Sequence, residues 1–188
     1  MAALLVLAAC GQSGSAGSAD RLPDVSAAPT APPATASAPV AAPATPLTGP
    51  QAAVAVGVLS AYRLWWDART AAFGQPEGSV LPLQLYSSGQ ALSDAMATVT
   101  QLGERKLVMV GSPRHSPLVT AVDPDAKPPT ATVEDCLDVS DWHQADAKTK
   151  AIADPKDRLT RYAAKVTLRK SESRWLIVEF NREVGRTC

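Results

Sequence analysis

The side chains able to do chemistry are few in this sequence. Asp135 lies in Val133-Glu134-Asp135-Cys136-Leu137-Asp138, where two-residue alternation sets it on one face with Val133 and Leu137. A carboxylate among apolar neighbours either works as a base or holds a structural hydrogen bond to backbone or to an arginine. Its candidate companions in a pocket are Tyr62, Trp66, His115, Tyr162 and Glu179. His115 and His143, with Asp141 near the second, lack metal-ligand spacing and fall in polar stretches, so no metal is expected. Asp141-Trp142-His143 reads as a solvated loop with one aromatic anchor. No glycine-rich phosphate loop or nucleophile elbow occurs, and no cofactor is implied. Of the three cysteines, Cys10, Cys136 and Cys188, none has a histidine neighbour in a recognisable motif, which speaks against a catalytic thiolate.

What positions these residues is a chain of 188 residues with 18 basic and 18 acidic side chains. Nucleic acid and anionic membrane surfaces reward a clustered basic face, so a balanced chain argues against both as the main partner. Eight of the 16 prolines fall between Pro23 and Pro50, in a stretch of Ala, Ser, Thr and Gly with almost no large apolar residue. Such a segment cannot offset the entropy of ordering. Residues 11–47 are therefore expected to be a tether; extended at ~3.1 Å per residue, it reaches on the order of 100 Å. About 140 residues remain, the size of one ordinary domain, expected over 48–188.

Ahead of the tether, Met1 to Ala9 is an uncharged apolar run. It is far shorter than the ~20 residues a spanning helix needs, and it suits the hydrophobic region of a signal peptide. It ends in Leu7-Ala8-Ala9-Cys10, followed by Gly11. This resembles the lipobox of bacterial lipoproteins, in which the cysteine sulfur is acylated and the residue becomes the new N-terminus. The resemblance implies a signal peptide and lipobox over residues 1–10, with lipid on Cys10. It also implies an extracytoplasmic location, anchored to a bacterial membrane. No Lys or Arg precedes the apolar run, although such a leader is expected, so the natural start is expected upstream. If Cys10 carries lipid, Cys136 and Cys188 are left, and in an oxidising compartment such a pair is expected to form a disulfide.

The domain should open with a helix capped by Thr48 and Gln51 in a capping box, with Pro50 in the first turn. Val54, Val58, Tyr62, Trp65/Trp66, Arg69 and Phe73 then step by three and four along an aromatic-rich face, until Gly74-Gln75-Pro76 ends it. Leu81 to Tyr86 is a short helical or irregular piece. Ser88 caps the next helix, with Ala91, Leu92, Ala95, Met96, Val99 and Leu102 on one side and Gly103 as its stop. Period-two patterning then predicts strands over 106–110, 118–122, 130–139, 158–169 and 174–184, with Asp141 to Pro155 as a long polar hairpin loop. In the fourth of these, Tyr162, Ala164, Val166 and Leu168 face one way and Arg161, Lys165 and Arg169 the other. Helices followed by antiparallel strands make an α+β fold, N-terminal helices packed on a curved sheet.

Several residues carry a further resemblance: Tyr62 and Trp66 on a helix, Gly111-Ser112-Pro113 with His115, Val133 to Asp138, Trp175, and Glu183-Val184-Gly185 ahead of Cys188. Over about residues 59–188 the chain resembles small secreted or lipid-anchored proteins of Gram-positive bacteria without assigned activity. Their element order is similar to the NTF2-like cone of the SnoaL-like cyclases and ketosteroid isomerases. The resemblance implies a cone whose mouth takes a ligand, and fold alone does not imply function. Isomerases of that kind use a carboxylate base with a tyrosine and a protonated acid at the oxyanion. No residue here matches their motif one by one.

The expected function is therefore a non-catalytic binding domain for an envelope protein or a small apolar ligand. An envelope enzyme of isomerase, cyclase or hydrolase type is the first alternative. An accessory subunit docking on another envelope protein through its sheet face is the second.

Overall fold

The computed structural model describes residues 47–75, 79–186 and 188. The proposed signal peptide, Cys10 and all but the last residue of the tether lie outside them. Three helices come first: α1 (Gly49–Phe73), α2 (Leu81–Tyr86) and α3 (Gly89–Glu104). Six strands follow: β1 (Leu107–Gly111), β2 (Leu118–Asp123), β3 (Thr130–Asp138), β4 (Trp142–Asp146), β5 (Arg161–Ser171) and β6 (Arg174–Glu183). Four of them form an antiparallel sheet in the order β2-β3-β5-β6, while β1 and β4 pair as a separate antiparallel ribbon. The domain is α+β, helices on one side of antiparallel strands. No helix among the described residues is long and apolar enough to cross a membrane.

Helix α1 follows its aromatic stripe: Val58, Tyr62, Trp65, Trp66, Ala72 and Phe73 are buried. Its start differs from the expected capping box. Thr48 takes the N-cap position without a side-chain bond, and Gln51 Nε2 instead reaches the Val122 carbonyl of β2 at 3.4 Å. Helix α3 also departs from expectation, because Gly103 does not stop it. The helix runs to Glu104, and Lys106 adopts the left-handed conformation (φ 55°), its N–H donating to the Gly103 carbonyl at 3.0 Å. Ala91, Ala95 and Leu102 are buried as expected, whereas Met96 is exposed.

Alternation holds in the sheet. Ala131, Val133, Asp135 and Leu137 of β3 are buried, as are Tyr162, Ala164, Val166 and Leu168 of β5, while Arg161, Lys165 and Arg169 face out. Strand β6 breaks step once. Thr167 pairs with Glu179 but the next residue, Leu168, pairs with Ile177, so Val178 is the extra residue of a bulge. Trp175 and Ile177 are buried before it; Phe180 packs on the core after it, and Glu179 is exposed.

The Asp141–Pro155 segment is not one long loop. It contains β4, which runs antiparallel to β1 with Gly111 opposite Trp142 and Leu107 opposite Asp146. Trp142 and Ala145, three apart, are its buried residues, and this broken rhythm hides the strand. Strand β5 starts at Arg161 rather than at Arg158, because the Arg158 side chain is taken up by the preceding turn. Its guanidinium donates to the carbonyls of Val139 (3.0 Å), Ser140 (2.9 Å) and Trp142 (3.1 Å).

Cys136 and Cys188 are bonded to each other, Cα atoms 5.7 Å apart, which ties the last residue to β3. Gly111 closes the ribbon. Its φ is +79°, and a Cβ there would lie 1.8 Å from the Asp141 carbonyl oxygen. Gly111→Ala combines left-handed strain with a clash against backbone, so it should cost ~2 kcal/mol or more. Urea unfolding followed by circular dichroism checks this; an unchanged midpoint would refute it.

Candidate functional site

Four of the six predicted pocket residues come together. Tyr62 and Trp66 project from α1, Asp135 from the buried face of β3, and His115 from the loop between β1 and β2. Tyr62 Oη donates to Asp135 Oδ2 at 2.6 Å. His115 Nδ1 lies 3.1 Å from the same oxygen, and the Ser116 backbone N–H donates to Oδ1 at 2.6 Å. The Asp135 side chain is fully buried and that of His115 is a quarter exposed. The Trp66 and His115 rings sit 4.7 Å apart by centroid, closing the cluster on its outer side.

Sequence brings this about simply. Alternation turns Asp135 inward, helical spacing turns Tyr62 and Trp66 toward it, and Ser112-Pro113 starts the loop that delivers His115 and the Ser116 amide. Burial, with the Asp135 charge beside it, pushes the Tyr62 hydroxyl far above the ordinary phenol range, so Tyr62 remains a proton-bearing donor. Asp135 thus ties β3 to two other chain segments, α1 and the loop between β1 and β2. Its neighbourhood opens at His115 and Trp66, which line a shallow cleft of about 480 Å³ with Arg63, Asp67, Thr70, Ser112 and Pro113.

Tyr162 and Glu179 stand elsewhere. Tyr162 is buried on β5 and lines a second cavity, of about 270 Å³, between the β1/β4 ribbon and strands β5 and β6. Glu179 does not belong to the pocket: it accepts from Thr167 Oγ1 at 3.0 Å on the exposed face. The bulge at Val178 reverses which side chains face inward, which alternation read straight through β6 cannot foresee.

His143 is likewise not in a loop but on β4, its Nδ1 2.6 Å from Asp154 Oδ2. Asp154 also accepts from the Gln144 N–H at 2.8 Å and pairs with Arg158 Nε at 3.1 Å. Among the described residues no three His, Cys, Asp or Glu side chains are grouped to hold a metal ion.

One buried cation stands outside the set of predicted site residues. Arg69 occupies the aromatic stripe of α1, its guanidinium 5.0–5.2 Å from the ring centroids of Trp65, Trp66, Phe73 and Phe180. Burial lowers its pKa to about 10, which leaves it charged at neutral pH. The signal was present, since a guanidinium within a run of core positions needs an explanation.

No family model and no curated protein matches the chain. A solved structure, that of the intermembrane space region of chloroplast protein ARC6, is similar at a TM-score of 0.47 and 16% identity, over 76% of this chain and all of that one.

The Asp154 cluster carries a pH signature. Burial alone would raise its carboxyl pKa, but the hydrogen bonds from His143 and the Gln144 amide and the Arg158 charge outweigh that and hold it below the usual range. A carboxyl depressed on folding stabilises the native state above its unfolded pKa of ~3.9, and this is lost as pH falls through the folded value. The chain should therefore melt higher than Asp154→Asn at pH 7, and the two melting profiles should converge on acidification below about pH 4. Parallel profiles would contradict this.

Proposed function

We propose that the chain is an extracytoplasmic lipoprotein of a bacterium: Cys10 acylated, residues 11–47 a tether, and an NTF2-like cone that binds a ligand or an envelope protein without transforming it. The disulfide between Cys136 and Cys188 is the observation that carries this reading. A structural disulfide belongs to an oxidising compartment, and it accounts for two of the three cysteines of the sequence. Cys10, in Leu7-Ala8-Ala9-Cys10, is then the cysteine to be modified. Two or three acyl chains anchor stably where one does so marginally.

The element order and the four-stranded antiparallel sheet with helices on one face support the cone. The state of Asp135 supports binding over catalysis: both its oxygens are engaged by protein donors, and its side chain is closed to solvent. The enzyme reading draws on one contrary observation. Asp135 orients His115 from behind, as a carboxylate orients a general base, and His115 faces a cleft. Docking through the sheet draws little support, because the outward side chains include Thr132, Glu134, Lys165, Arg169 and Glu179 rather than an apolar patch.

Intact-mass spectrometry of the protein from its native host tests the anchor. The expected form begins at Cys10 and carries fatty acyl mass, with two cysteines oxidised to one disulfide; a form without acyl mass, or with three free thiols, refutes the reading.

A further inference from the structure

The cavity between the ribbon and strands β5 and β6 has an unbalanced charge inventory. Its apolar walls are Met109, Val139, Trp142 and Leu159, and Tyr162 and Arg182 supply its polar side. Asp154 and Arg158 also reach its edge, but they are spent on each other. The carboxylate is covered by His143, the Gln144 amide and Arg158, while the rest of the Arg158 guanidinium holds three backbone carbonyls. That pair adds no net charge.

Arg182 has no such partner. Its guanidinium lies over the Tyr162 ring, 5.6 Å from the centroid, and no carboxylate pairs with it among the described residues. Arg69, caged by four aromatic rings, likewise has no ion pair among the described residues, and its Nε is buried without a hydrogen-bond partner. The Trp142 Nε1–H, on the cavity wall, is buried without an acceptor too. Arg182 therefore stands at the cavity as a cation that no anion neutralises among the described residues. Aromatic faces offset part of the cost of burying a guanidinium, but they do not neutralise it.

We propose that this cavity binds a small organic monoanion, a carboxylate on a compact apolar or aromatic body. Arg182 takes the carboxylate at the exposed mouth, and the body rests against Trp142, Met109, Val139 and Leu159. A volume of about 270 Å³ suits a body of one ring, near the lower end of small-molecule sites, ~300 Å³. The inference rests on the binding reading above and gives it a chemical class. It needs no cofactor and no reaction.

Titration of the full chain at low ionic strength, read by tryptophan fluorescence and calorimetry, tests it with benzoate as the anion and benzamide as its neutral counterpart. Saturable benzoate binding is expected, with benzamide weaker by about tenfold or more, the worth of a charge-assisted hydrogen bond. Arg182→Met should weaken benzoate by a similar factor at an unchanged thermal midpoint, because Arg182 is exposed, and should leave benzamide unaffected. Equal binding of the two probes, or of benzoate by the wild type and Arg182→Met, overturns the anion site and leaves a binding domain for neutral ligands. Failure of both probes overturns the inference and leaves an envelope protein as the partner under the binding reading.

Discussion

A single buried carboxylate joins the layers of this domain. Asp135 sits mid-way along a strand whose inward residues are otherwise Ala131, Val133 and Leu137. An uncompensated carboxylate there would be severely destabilising. Its donors come from α1, seventy-three positions earlier in the chain, and from the loop between β1 and β2. Satisfying Asp135 therefore fixes how the first helix lies on the sheet and where the β1–β2 loop runs. Apolar packing is tolerant of small shifts, whereas a hydrogen bond of 2.6 Å to a fixed hydroxyl is not.

The same helix carries the opposite problem about two turns further on. Trp65, Trp66 and Phe73 bury most of their surface, and Arg69 is held among them by ring faces rather than by a carboxylate. The interior thus holds a saturated anion at one end and an unneutralised cation toward the other. The first arrangement is complete within the protein and gains nothing from a ligand. The second is offset in part by the ring faces around it, and its charge remains. That asymmetry sets Asp135 apart as a structural group, with both its oxygens held by the protein.

Period-two alternation made β3 and β5 legible in the sequence, with the inward placement of Asp135 and the outward one of Lys165. Helical spacing made the aromatic face of α1 legible, and with it the approach of Tyr62 and Trp66 to the sheet. Strand β4 was not legible, because Trp142-His143-Gln144-Ala145-Asp146 buries its first and fourth residues instead of alternating. Glu179 was misplaced because a one-residue bulge at Val178 inverts the pattern, and bulges leave no compositional mark there. Arg182 owes its inward place to the same bulge. Gly103 reads as a helix stop, yet glycine tolerates the helical conformation at modest cost, and the chain turned at Lys106 instead. Of the partners of Asp135, Tyr62 and His115 were named from the sequence, whereas the Ser116 amide needed three-dimensional proximity that no spacing encodes.

A double-mutant cycle between Tyr62→Phe and Asp135→Asn, read as unfolding free energies in urea at neutral pH, measures the bond on which this architecture rests. If the hydroxyl and the carboxylate act as one unit, the two losses are strongly non-additive, with a coupling of about 1–3 kcal/mol. Losses that simply add, to within ~0.5 kcal/mol, would mean that Asp135 does not hold the helix to the sheet.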